Sequence, residues 1–196
     1  MRVASLVLLA ACLLLAGTAQ ADPINRSDSD FSGKPAGPDS PVGSNTCPPT
    51  AAVSGPLPYN DTGDTCGNTN DIGAYPGGSC GTDLPFAYDG EDVIYEVPLG
   101  AGNNVTFSAD LTGSTGDLAL FLLSTCGDGN SCVAHSQDAI GVGAGPELID
   151  PANYPDGTYY LYIDSYYAAG NAGSCGTYAL EVTGTLPVEL LEFSID

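Results

Sequence analysis

Hydrophobic and polar residues alternate with a period of two over much of the chain between positions 92 and 182. The residues that this pattern predicts to face inward are Val93, Tyr95 and Val97; Val105, Phe107, Ala109 and Leu111; Tyr159, Leu161 and Ile163; and Tyr178, Leu180 and Val182. Leu118–Leu123 is hydrophobic at every position, which is typical of a central strand. Because Gly-, Asn- and Asp-rich turns separate these runs, the sequence predicts an all-β fold, an antiparallel β-sandwich or jelly roll.

The N-terminus has the pattern of a secretory signal peptide. Arg2 precedes a hydrophobic run over residues 3–17, and small residues at 19 and 21 form a cleavage site. The run is too short for a membrane-spanning helix of about 20 residues. Cys12 lies in a sequence similar to a lipoprotein processing box, but cleavage after Ala21 is the favoured interpretation. The chain is therefore predicted to be secreted, with the periplasm or the cell surface as further possibilities.

Composition divides the remainder of the chain into three parts. Residues 22–58 are rich in Pro, Gly, Ser and Asp, which is typical of a flexible leader. Residues 59–184 contain the predicted sandwich. Residues 185–196 form a short amphipathic run, which is interpreted either as an edge strand or as a sorting or assembly tail through which the protein self-associates.

Six of the seven cysteines remain after the signal peptide, and an even number in an exported chain predicts disulfides. The short loops favour Cys66–Cys80 and Cys126–Cys132, which leaves Cys47–Cys175. A zinc site is disfavoured, because no pair has C-x-x-C spacing and His135 is the single histidine.

The charge balance excludes several classes of partner. The chain has 24 acidic and three basic residues, a formal net charge of −21. Such a surface repels nucleic acid and anionic lipid, so neither nucleic-acid binding nor membrane insertion is expected.

Five motifs occur in a characteristic order: DTCGNTND at 64–71, GEDVIYEV at 90–97, DLALFLL at 117–123, PDGTYYLYID at 155–164 and GTYALEV at 176–182. In this order they resemble the bacterial pre-peptidase C-terminal domain, a family of jelly-roll-like β-sandwiches related to collagenase collagen-binding domains. The resemblance spans about residues 60–184. It implies a non-catalytic module of the kind appended to secreted peptidases, several of which bind calcium near the entry to the first core strand. This chain differs in carrying no peptidase and more cysteines.

Residues 60–93 contain a high density of Asp, Asn and Gly ahead of the first predicted strand. Carboxylate and amide oxygens are ligands that calcium prefers, and glycines let backbone carbonyls approach. The candidate ligands are Asp64, Asn68, Asn70, Asp71, Asp89 and Asp92. Neither an EF-hand loop nor a GGxGxD repeat is present. The alternative is a loop in which Asp and Asn side chains bond to their own backbone.

Catalysis has little support in the sequence. A nucleophile-and-base arrangement needs a histidine, and Ser136 next to His135 would point to the opposite face of a strand. A carboxylate-based hydrolase needs only two acids, but no pair stands out among the 24. The chain is therefore predicted not to be an enzyme.

Tyr166 and Tyr167 lie in a Gly-, Ala- and Asn-rich loop after a predicted strand, where tyrosine rings can stack on sugars or pack on a peptide. The alternative is that one ring covers the edge of the sandwich.

The sequence thus predicts a secreted, non-catalytic binding or accessory module, stabilised by calcium, that acts on an extracellular polymer, surface or partner protein. A self-assembling structural protein is the first alternative, and a hydrolase is the second.

Overall fold

A computed structural model describes residues 43–77, 80, 88–137 and 141–185. The strands are β1 (Tyr59–Asp64), β2 (Val93–Leu99), β3 (Asn104–Asp110), β4 (Leu118–Leu123), β5 (Cys132–Ser136), β6 (Glu147–Ala152), β7 (Gly157–Ser165) and β8 (Thr177–Thr185). Sheet I has the order β1-β8-β3-β6 and sheet II the order β2-β7-β4-β5. All pairs of neighbouring strands are antiparallel, so the predicted all-β sandwich is confirmed.

The core between the sheets is formed by the side chains that the period-two pattern predicts. Every residue predicted to face inward belongs to one buried cluster. All six residues of β4 are buried, which confirms it as a strand covered on both faces. The central position of β4 and β7 in sheet II follows from this hydrophobicity.

A second hydrophobic cluster lies on the outer face of sheet II. We call residues 65–92, of which 65–77, 80 and 88–92 are described, the covering loop. Its Ile72, Tyr75 and Tyr88 are buried against the outward side chains of the sheet, among them Phe121 and Tyr162. The stacked rings of Tyr75 and Phe121 have centroids 3.7 Å apart. The acidic stretch therefore packs onto the sheet through its few apolar residues.

Residues 43–57, which we call the strap, lie along the edge of β2. Ser44 forms an antiparallel bridge to Ile94, and Ala52 forms a parallel bridge to Glu96. Val53 is 3% exposed and belongs to the inner core. The packed structure thus already includes residues 43–58, which were predicted as part of the leader, because backbone hydrogen bonds and one valine attach them to the sandwich.

The six cysteines form three disulfides, but the predicted pairing is wrong. The bonds are Cys47–Cys126, Cys66–Cys175 and Cys80–Cys132, with sequence separations of 79, 109 and 52 residues. Each one joins elements that the fold brings together rather than closing a short local loop. Cys66–Cys175 follows the β1–β8 ladder, Cys80–Cys132 attaches the covering loop to β5, and Cys47–Cys126 attaches the strap to the β4–β5 turn.

No helix among the described residues has the length and apolar character needed to cross a bilayer. The predicted signal peptide, with Cys12, and the C-terminal run from 186 onward lie outside the described residues.

Candidate functional site

Two buried aspartates face each other beneath the covering loop. β2 and β7 pair Val93 with Ile163, and continuing this register by one residue places Asp92 opposite Asp164. Val93 and Ile163 point into the core, so their neighbours Asp92 and Asp164 point to the outer face of sheet II. Both aspartates are 0% exposed because the covering loop lies over them.

The two carboxylates differ in their hydrogen bonds. Asp164 accepts one bond from the Tyr75 hydroxyl and one from the Ser165 amide, each 2.6 Å long. Asp92 accepts a bond of 2.9 Å on Oδ2 from the amide of Asp71. Its Oδ1 is buried and has no hydrogen-bond partner. A buried carboxylate oxygen without a partner is costly, which marks this atom as a position for a cation or a proton.

Burial dominates the electrostatics of this pair. It raises the pKa of Asp92 to about 7, against the opposing effect of the backbone amides of Asp71 and Ile72. Burial, followed by the charge of Asp92, raises the pKa of Asp164 well above its usual range, although the bonds from Tyr75 and Ser165 act in the other direction. Both carboxylates therefore need a positive charge or a proton to be accommodated.

Three of the six predicted ligands lie around this position. Asp71 is bonded through its amide to Asp92. Asp89 lies close enough to Asp164 for its charge to contribute to the raised pKa of that carboxyl. Oδ1 of Asp89 also approaches Gly73, where a Cβ would lie 2.9 Å from it. Asp71 and Asp89 thus lie near the pair Asp92 and Asp164, but the structure does not bring oxygens of three of these carboxylates within 4.8 Å of one another.

The other three predicted ligands lie elsewhere. Asp64 accepts a bond of 2.9 Å from the Cys66 amide, and its carbonyl accepts one of 3.4 Å from Asn68. These two residues form a local turn beside Glu91, as in the alternative interpretation of the acidic stretch. Asn70 is exposed. The expectation that all six side chains converge is therefore not met.

Asp164 is the site residue that sequence reasoning missed. In the sequence it is only the last residue of the PDGTYYLYID motif, yet it is a charged residue at an outward position of a strand that is otherwise hydrophobic on both faces. That combination is a usable signal, because a carboxylate on the covered face of a central strand requires a partner.

Among the described residues, the one group of three potential metal-ligand atoms within 4.8 Å of one another belongs to Cys66, Glu91 and Cys175. The two sulfurs are bonded to each other, so neither is a thiolate that could bind a metal. Glu91 instead accepts a bond of 3.1 Å from the Gly67 amide.

Tyr166 and Tyr167 lie at the surface end of a series of aromatic contacts. The Tyr166 ring is 5.8 Å from that of Tyr88 and 5.2 Å from that of Tyr167, both at steep angles. Tyr167 packs over Gly173, which has a positive φ of 91° and no side chain to interfere. Both tyrosines are half-buried. Tyr166 therefore belongs partly to the outer cluster, and Tyr167 is the more peripheral of the two.

His135 lies in the edge strand β5 and is half-buried. Its ring stacks on Phe121 with centroids 6.4 Å apart and an interplanar angle of 10°. Ser136 points away from it into the sandwich and bonds to Glu147. The arrangement does not join His135 and Ser136 as a base and a nucleophile.

Comparison with solved structures finds a similarity to the pre-peptidase C-terminal domain of a collagenase from Bacillus anthracis, the family that the sequence motifs resemble. The identity is 17%, the match covers 65% of this chain and 90% of that domain, and the TM-score is 0.40. No protein-family model matches the chain. No curated protein matches it significantly.

Proposed function

We propose that the chain is a secreted, non-catalytic binding or accessory module whose covering loop is held to sheet II by calcium. The observation that carries the calcium site is the buried Oδ1 of Asp92, which has no partner and lies across the ladder from Asp164. Like charges on directly opposite residues of a sheet destabilise it unless something offsets them.

Carboxylate oxygens are the ligand type that calcium prefers, but no three of those at this position lie within 4.8 Å of one another, so the covering loop would have to draw them together around the ion. Calcium takes six to eight oxygen ligands, and the residues that would hold it are Asp92 and Asp164 with Asp71 and Asp89. When bound, the ion supplies positive charge at the point where the covering loop meets the sheet. Tyr75 orients Asp164 through its hydroxyl, and the Asp71 amide orients Asp92. All four carboxylates come from residues that the sandwich and the covering loop hold in place.

Calorimetry and thermal unfolding of chelator-treated protein test this site. For a dissociation constant of about 10⁻⁴ M, which is within the extracellular range, about 10 mM calcium should stabilise the fold by roughly 2.7 kcal/mol. We expect Asp92→Asn to remove most of this gain. Asp110→Asn is the matched control, since Asp110 is an exposed acid at the end of β3.

A different result separates the cation from a shared proton. If wild-type protein shows neither heat nor a change in melting temperature with calcium, and is more stable at pH 5 than at pH 8, then the two aspartates share a proton. The calcium proposal would then be wrong, while the binding proposal below would stand.

The binding role is supported by the position of Tyr167. Its ring lies at the surface, beside Val142, which is 55% exposed. A tyrosine next to an exposed apolar side chain offers both a face for stacking and a hydroxyl for hydrogen bonds. An extracellular polysaccharide or a protein surface is the class of partner that such a patch suits.

Sedimentation with insoluble polysaccharides and with fibrillar collagen tests the binding role. We expect Tyr167→Ala to lower retention several-fold on whichever polymer binds. Tyr166→Phe keeps the packing on Tyr88 and should lower retention less. Thr62→Ala with Ser108→Ala, on the outer face of sheet I, is the control. Equal retention of all variants would exclude the tyrosine patch.

The non-catalytic assignment is supported by the chemistry of the potential nucleophiles. All six cysteines of the described chain are in disulfides, and His135 packs on Phe121. The disulfides also favour an oxidising, extracellular location.

Self-assembly through residues 186–196 is the alternative function. Light scattering of the chain with and without these residues tests it.

A further inference from the structure

The strap is attached to β2 at two points. Near its start, Ser44 and Ile94 exchange two backbone hydrogen bonds, of 3.0 and 2.7 Å. Farther on, Glu96 donates to the Ala51 carbonyl at 2.9 Å and accepts from the Val53 amide at 2.7 Å. The Cys47–Cys126 disulfide lies between these points. Because β2 is the first strand of sheet II, the strap covers backbone groups that would otherwise form a free edge.

The two points of attachment differ in strength. The second includes Val53, which is buried in the inner core, and Ala51 and Leu57 pack against the same core. Residues 43–50 have the sequence GSNTCPPT and contain no large aliphatic or aromatic side chain. Gly43 and Ser44 are buried, and the Gly43 amide bonds to the Tyr178 hydroxyl. Beyond these, the Asn45 carbonyl accepts a bond of 3.1 Å from Thr69. The attachment of residues 43–50 thus depends on a few hydrogen bonds and on the disulfide, with no large apolar side chain to hold it.

This disulfide is also the most accessible of the three. Cys47 is exposed and Cys126 is half-buried. By contrast, Cys80, Cys132 and Cys175 are 0%, 1% and 5% exposed, so that each of the other bonds has at least one sulfur enclosed by protein. Thiol–disulfide exchange requires a thiolate to reach a sulfur atom, so access decides which bond reacts first.

A hydrogen-bond donor lies beside the bond. The hydroxyl of Tyr162 is 3.0 Å from Sγ of Cys47 and 3.9 Å from Sγ of Cys126. Its oxygen accepts a bond of 3.0 Å from the Gly127 amide, which leaves the hydroxyl hydrogen for a sulfur atom. A hydroxyl in this position stabilises a thiolate that leaves from Cys47.

We propose that Cys47–Cys126 is a reducible bond that controls the edge of β2. A dithiol reductant attacks the sulfur of the exposed residue Cys47, and Cys126 leaves as a thiolate and takes up a proton. The second thiol of the reductant then closes its own disulfide and releases Cys47 beside Tyr162. Two electrons and two protons pass from the dithiol to the protein. Residues 43–50 then separate from β2, while residues 51–57 stay attached through Val53.

Stepwise reduction with alkylation and peptide mapping tests the chemistry. As dithiothreitol is raised, Cys47 and Cys126 should be labelled at concentrations about tenfold lower than any other cysteine. Tyr162→Phe should slow this reduction several-fold without changing its order, because it removes the hydroxyl that lies 3.9 Å from the Cys126 sulfur, which leaves first, and 3.0 Å from the Cys47 sulfur, which leaves second. Labelling of Cys80, Cys132, Cys66 or Cys175 first, or of all six together, would overturn the proposal.

Hydrogen exchange resolved to single amides tests the opening. After selective reduction, the Ile94 amide should exchange at least about tenfold faster, whereas the Glu96 amide should change less than about twofold. The double variant Cys47→Ser with Cys126→Ser should show the same difference between the two amides without reductant. If this variant does not fold, the selectively reduced wild type alone decides the outcome. Equal loss of protection at both amides, or no loss at either, would show that the bond does not control the edge.

Discussion

The outer faces of the two sheets differ in what lies on them. Sheet II carries the covering loop, a second hydrophobic cluster and the buried pair Asp92 and Asp164. The outer face of sheet I presents polar side chains to solvent along β1, β3 and β8. There, Asn60, Ser108 and Glu181 line a shallow groove of about 480 Å³. Each sheet therefore has one face in the core, but only sheet II is also covered on its outer face.

The difference is visible along single strands. The first six residues of β8 alternate between exposed and buried, whereas every residue of β4 is buried. A strand of the first kind needs no cover, and a strand of the second kind requires another segment to lie over it. In this protein the covering segment is acidic overall, and it is attached through Ile72 and Tyr75. High charge in a segment thus does not exclude a role in the core.

The largest effect should come from removing the ring at the centre of the covered face. Phe121 is fully buried and stacks on Tyr75. Phe121→Ala should lower the free energy of unfolding by about 3–5 kcal/mol, because it leaves a cavity beneath the covering loop. Ser108→Ala on the outer face of sheet I should change it by less than about 0.5 kcal/mol. Urea unfolding measures both, and a cost below about 1 kcal/mol for Phe121→Ala would show that the covering loop is not part of the core.

The next effect concerns the bond that attaches the cover. Cys80→Ser with Cys132→Ser should lower the free energy of unfolding by about 2–5 kcal/mol. Hydrogen exchange should accelerate at the Tyr88 amide, which bonds to the Gly73 carbonyl inside the covering loop. Sheet I should keep its protection. If amides of β3 and β8 lost protection to the same degree, the cover and the sandwich would unfold as one unit.

The third effect comes from the layer between the sheets and depends on pH, being absent below pH 10. Tyr95 and Tyr178 are joined by a hydroxyl bond of 2.7 Å, and burial, with further contributions from nearby groups such as Asp61, raises the pKa of each above the ordinary value of 10.0. These hydroxyls keep their protons in the folded state at pH values where the unfolded chain has lost them. Stability is therefore retained below pH 10 and falls above it, by about 1.4 kcal/mol per pH unit for each such tyrosine.

Urea midpoints between pH 9 and pH 11.5 measure this slope. Tyr95→Phe with Tyr178→Phe should reduce it, whereas Tyr160→Phe, on the half-buried outer side of β7, is the control. An unchanged slope in the double variant would assign alkaline unfolding to other groups.

The inner core could be predicted from the sequence because its strands obey a simple period. Val105, Phe107 and Ala109 alternate with polar residues, and the structure buries all three. The strand β1 could not be found in this way. Its inward positions are Tyr59, Asp61 and Gly63, which do not form a hydrophobic pattern.

The inward positions of β1 are not hydrophobic because they take part in a network of hydroxyl groups. The carboxylate of Asp61 accepts bonds of 3.1 Å from Tyr59 and from Tyr95. A Cβ at Gly63 would overlap the Tyr178 hydroxyl, so only glycine fits there. Some of these partners lie more than a hundred residues away in sequence, so a local pattern of residues does not reveal the contacts.

The predicted pairing of the cysteines was wrong, and Asp164 was missed, for the same reason. Because β1 has no recognisable pattern, the sequence gives no sign that Cys66, just after β1, lies opposite Cys175, just before β8. In the same way, Asp164 joins Asp92 only through the register of β2 and β7. Sequence periodicity identifies faces of strands, whereas sites of this kind depend on which strands are neighbours.

The Cys66–Cys175 bond continues the β1–β8 ladder beyond its last pair, Asp64 with Thr177. A covalent link at one end of a ladder forbids sliding of the two strands past each other, since any shift would have to stretch it. Detachment of β1 can therefore begin only at Tyr59 and must proceed toward the bond. The edge strand β1 thus has a single direction of fraying, and it returns to the same alignment each time it closes.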